Sequence, residues 1–174
     1  MRQTEFGCFV NAQNIRVNFV GYTRTCGLWS TDIWDYRAHR LFPLTFVDVT
    51  GNEWRPDNHF ASDFGSIPPF LNGFPSLTRT RFLGPYLLHD SARRYGGLWH
   101  RAMGQESFSF VALTMLDGDR MLRDMVGAWG GNAAQRAMIY RGVRIGSPFL
   151  AYPTGDIPEA DIIRIGPSDA SNPR

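Results

Sequence analysis

The sequence predicts an α+β fold, with an N-terminal antiparallel β-sheet or set of hairpins packed against about three C-terminal helices. Three observations carry this expectation. Before residue 64 the apolar residues are mainly Phe, Val and Ile with partial alternation, as strands require. Beyond it they recur at three-to-four spacing, as helices require. The change falls at Gly65–Pro69, a segment built for a turn. With 174 residues, 43% of them hydrophobic, the chain can bury one sizeable core. We expect a single domain over 1–150 and an irregular C-terminal extension over 151–174, where Pro and Gly are frequent.

The strand-forming stretches are Phe6 to Val20 and Leu41 to Phe60. Within the second, Leu44–Val49 and Glu53–Arg55 flank Thr50-Gly51-Asn52, and Gly51 and Asn52 both tolerate the positive φ of a tight hairpin turn. Gly21 to Arg40 reads equally as a strand pair or an ordered loop. Pro75-Ser76-Leu77-Thr78 resembles a helix entry, but Pro85 interrupts the stretch that follows. The first helix is therefore placed from about Gly84, with Pro85 in its first turn, to Tyr95, where Gly96-Gly97 stops it. A second helix is predicted over Ser107–Trp129, weakened by Gly118. A third is predicted from Asn132, a good cap, to about Ile145.

Composition excludes several classes of function. All 18 basic residues are Arg, the pattern a GC-rich coding sequence produces, and this rules out a Lys nucleophile, Schiff base or phosphate-loop Lys. A net charge of +2 with scattered arginines does not indicate nucleic-acid binding. No apolar run is long enough for a membrane span, and the first residues lack the apolar stretch of a secretory signal. Cys8 and Cys26 are too few for a disulfide framework and read as buried free thiols, with cross-strand neighbours as the alternative.

Two groups of residues offer chemistry. Ser62-Asp63-Phe64-Gly65-Ser66-Ile67-Pro68-Pro69 forms a stiff loop able to aim the Asp63 carboxylate, although a structural turn is the plainer reading. Leu87-Leu88-His89-Asp90 places an imidazole and a carboxylate side by side on the first helix. Neighbours there point about 100° apart, so both cannot face the core, but both can flank a cleft. His89 and Asp90 are the candidate catalytic pair. The plainer reading has His89 bonded to backbone and Asp90 in solvent. Asp119, with Arg120, is either an ordinary surface pair or, if its helix crosses the first, a third member of the group. Asp63, His89, Asp90 and Asp119 together would suit one divalent metal ion. Ser66 is a weaker nucleophile candidate, because nothing places a base beside it.

In this order the residues resemble a phage and prophage family, the domain of unknown function numbered 1353. Its pattern is a Thr/Ser-Asp-x-x-Ser-x-Pro loop, a His-Asp helix, a helix with Ala-Asp-Arg or similar, and an Arg- and Tyr-containing helix near a Gly. The counterparts are Ser62 to Pro68, His89-Asp90, Asp119-Arg120, and Tyr140 through Val143 with Gly146. The likeness covers roughly residues 41 to 146. It departs at Ser91-Ala92-Arg93-Arg94-Tyr95, where the family is aromatic-rich, and at Gly118, where Ala is common. The resemblance implies a virion component, for instance of the tail, made in the host cytoplasm and assembled with other virion proteins. It also allows a metal-dependent hydrolase acting on the host cell envelope.

Overall fold

The structure, a computed structural model, describes residues 4–25, 29–62, 79–146 and 163–164. Among these residues it is an α+β fold with two antiparallel sheets and three helices in the C-terminal half. In chain order the strands are β1 (Cys8–Val10), β2 (Val17–Thr25), β3 (Trp29–Arg37), β4 (Thr45–Val47), β5 (Glu53–Arg55), β6 (His59–Ser62), β7 (Gly97–Arg101), β8 (Ser109–Ala112) and β9 (Ile163–Arg164). The helices are α1 (Leu83–Tyr95), α2 (Met115–Ala128) and α3 (Ala133–Gly146). One sheet runs β1-β4-β5-β7-β8 and the other β6-β3-β2-β9.

Local chemistry explains several of these boundaries. The β4–β5 hairpin forms where predicted, with Gly51 at φ 84°, whereas Asn52 keeps an ordinary backbone. Its turn is organised by Asp48, whose carboxylate accepts from the backbone of Thr50 and Asn52 and from Trp54 Nε1. Burial alone would raise the Asp48 pKa, but these bonds outweigh it and lower it. Gly21 to Arg40, undecided from sequence, supplies the β2–β3 pair, which has a register shift between Phe19 and Gly21. In α1, Pro85 occupies the first turn and Gly96 ends the helix at φ 71°. Asn132 and Gln135 form reciprocal backbone–side-chain bonds before α3, a full capping box.

Two expectations need correction. The second helix does not begin at Ser107: Ser109–Ala112 is strand β8, paired to β7, and α2 starts at Met115 behind a Thr114 cap. The alternation of Phe108, Phe110 and Ala112 fits a strand once β7 is available to pair with it. Strands therefore do not all precede helices, because β7 and β8 lie between α1 and α2. Within the segment expected to be mostly irregular, Ile163 and Arg164 pair with Tyr22 and Gly21. The predicted loop at residues 63–69, the helix entry Pro75–Thr78 and Cys26 lie outside the described residues. Cys8 is a half-buried free thiol.

The core lies where α1 and α2 meet the sheets. Leu87, Leu88, Leu122 and Met125 are wholly buried, and Trp129 packs edge-on against Phe9 with ring centroids 4.6 Å apart. Each such aliphatic side chain contributes roughly 1.5–3 kcal/mol by leaving water. Helix α1 touches β6, β7 and α2, so little of its circumference meets solvent. That crowding determines the environment of His89 and Asp90.

Candidate functional site

Four elements deliver the polar cluster. Helix α1 carries His89, Asp90 and Arg93, α2 carries Asp119, α3 carries Arg144, β6 ends in Ser62, and Arg94 of α1 donates to the Ala61 carbonyl. His89 Nε2 lies 2.9 Å from Asp119 Oδ1, and the two side chains are 3% and 0% exposed. Arg93 approaches the same carboxylate oxygen at 3.5 Å, and Arg144 reaches Oδ2 at 3.2 Å. One carboxylate thus joins three helices.

Taking a carboxylate wholly out of water costs several kcal/mol unless donors replace the lost hydration. Here an imidazole and two guanidinium groups do so. Burial by itself would raise the Asp119 pKa, but His89, Arg144 and Arg93 outweigh it, and the carboxyl is held below its ordinary value. Burial likewise opposes charge on His89. The hydrogen bond to Asp119 and the nearby Asp90 carboxylate overcome this, and the His89 pKa is raised.

Asp90 faces the other side of the imidazole. Ser62 Oγ donates to Asp90 Oδ2 at 2.5 Å, and Asp90 Oδ1 lies 3.8 Å from His89 Nδ1. That gap is too long for a hydrogen bond, and among the described residues Nδ1 is a buried polar atom without a hydrogen-bond partner. Asp90 is only 10% exposed, so it does not stand in solvent as the plainer reading of the sequence had it. Packing of β6 against α1 covers it. Chemically, an Nε2–H donated to Asp119 leaves the Nδ1 lone pair facing Asp90, whereas the imidazolium form presents a proton there.

The structure therefore brings together His89, Asp90 and Asp119, as the crossing of α2 over α1 allowed. Asp119 does not pair with Arg120, which instead approaches Asp117 at 3.9 Å on the surface. Asp63 and Ser66 lie outside the described residues. Among the described residues, no group of three or more His, Cys, Asp and Glu is arranged to hold a metal ion. Both Asp119 oxygens already face His89 or an arginine, and Asp90 already accepts from Ser62. Sequence reasoning missed Arg93, Arg144 and the Ser62–Asp90 bond. Arg93 had a usable signal, since it follows His89 by four residues on one helix. Arg144 had none, because only the packing of α3 brings it to Asp119.

No protein-family model, curated protein or solved structure matches the chain.

Proposed function

We propose that the protein is a structural component of a bacteriophage particle, associated with the tail, and that its His–Asp cluster ties the fold together rather than reacting. The supporting observation is the disposition of Asp119. Both oxygens of this buried carboxylate are engaged by His89, Arg93 and Arg144, which come from two other helices. Such a network orders helices at a cost in desolvation, whereas a hydrolytic centre needs a ligand or nucleophile open to substrate. The motif order supplies the phage context. Mass spectrometry of particles purified from lysates tests this reading. The chain is expected at a reproducible copy number per particle, and its absence from intact particles overturns the proposal.

One observation favours the second reading, a metal-dependent hydrolase of the host envelope. A histidine that gives one N–H to a buried carboxylate and turns its other nitrogen toward a second carboxylate has the support typical of a metal ligand. In that reading His89 Nδ1 and Asp90 hold the ion, and Asp119 orients the imidazole. The ion would supply an activated water. Elemental analysis of the purified protein, with His89→Ala as control, separates the readings: stoichiometric zinc or manganese lost in the variant supports the hydrolase.

A further inference from the structure

We propose that β8 is an assembly edge on which a second copy of this chain pairs antiparallel, joining two five-stranded sheets across a two-fold axis. Among the described residues the strand closes its sheet on one side and is bonded only to β7. The Leu113 amide donates to the Gly96 carbonyl, which fixes the alternation along β8. Ser109 and Val111 therefore direct their backbone groups to β7, and Phe110 and Ala112 direct theirs outward.

Soluble proteins usually protect such an edge with a charge, a proline, a bulge or a covering element. Ser109-Phe110-Val111-Ala112 has no charge and no proline, and its pairing with β7 is unbroken by any bulge. Ser109, Phe110 and Ala112 are exposed, Phe110 at 45%. Phe110 packs edge-on against Trp99, itself 36% exposed, with ring centroids 5.8 Å apart. The opposite edge differs: β1 has three residues, and its central Phe9 is buried under Trp129.

The occupant follows from self-complementarity. With the two-fold axis at Val111, Phe110 of each copy stands opposite Ala112 of the other, giving two hydrogen-bonded pairs and about four new backbone bonds. No like charges face each other in this register, since Glu106 falls opposite Leu116. Each Phe110 ring gains the small Ala112 of the second copy as a cross-strand neighbour.

This pairing deepens the assembly reading but is measured on the isolated chain. A dimer absent from particles would defeat only that reading, and a monomer found in particles would defeat only this one. Sedimentation equilibrium at tens of micromolar is expected to give about 39 kDa, twice the chain's 19.7 kDa. Phe110→Lys/Ala112→Lys sets like charges opposite each other and is expected to weaken dimerisation at least tenfold, to roughly that order or beyond. Phe110→Lys/Ala112→Glu sets opposite charges in the same register and is expected to restore it. Because both variants change the same two positions, unchanged circular dichroism in the pair separates assembly from folding. A wild-type monomer, which would leave the edge to a different chain, overturns the proposal, as does a dimer indifferent to the Lys/Lys change.

Discussion

His89 Nε2 and Asp119 Oδ1 lie 2.9 Å apart, 30 residues apart in sequence, in a site that excludes solvent from both side chains. Removing one partner of such a pair leaves a buried group without compensation. Asp119→Ala is therefore expected to destabilise the fold by roughly 3–5 kcal/mol. Arg144→Ala is expected to cost less than about 1 kcal/mol, because that side chain is 43% exposed and water can replace it. Urea denaturation of the two variants checks the contrast.

Stability should depend on pH at both limbs of this pair. The His89 pKa is raised, so its contribution is whole below the ordinary imidazole value of 6.5 and is lost as pH rises through the higher folded value. The Asp119 pKa is lowered, so its contribution is whole above 3.8 and is lost as pH falls through the depressed folded value. The melting temperature of the wild type is expected to fall from neutral toward alkaline pH, and in His89→Gln this limb should flatten.

Two helical glycines should respond to alanine with opposite signs. A Cβ at Gly118 would sit 3.9 Å from the Ala92 Cβ, an ordinary contact, so Gly118→Ala is expected to gain up to about 1 kcal/mol of helix propensity. A Cβ at Gly84 would fall 2.3 Å from the Trp129 ring, so Gly84→Ala is expected to lose roughly 1–3 kcal/mol. Thermal melts of both variants settle the signs.

The hairpin turn depends on one carboxylate. Asp48→Ala removes acceptors for the Thr50 and Asn52 amides and for the Trp54 indole, and is expected to cost about 1–3 kcal/mol. Asp48→Asn keeps one acceptor oxygen and should cost less. Chemical denaturation of the two variants tests the order.

What the sequence disclosed was mostly local. Gly96 as a helix stop, Asn132 as a cap and Gly51 in a hairpin each follow from the residue's own backbone chemistry. The start of α2 was misplaced because Phe108, Phe110 and Val111 satisfy either periodicity in a short window. The deciding partner, β7, comes from a different stretch of chain. At the site, residue types pointed to His89, Asp90 and Asp119. Their burial did not, since a helix read alone suggests one solvent face, while α1 is enclosed by β6, β7 and α2. Arg144 was invisible for the same reason: no spacing rule links α3 to a carboxylate on α2.

The His89–Asp119 contact ties helix α1 to α2, and a double-mutant cycle measures that tie most directly. Unfolding free energies of the wild type, His89→Gln, Asp119→Asn and the double variant give the coupling between the two side chains. We expect a favourable coupling of about 2 kcal/mol or more, within the range for contacting residues of one network. A coupling near zero, with both single variants as stable as the wild type, would contradict a structural role for the pair.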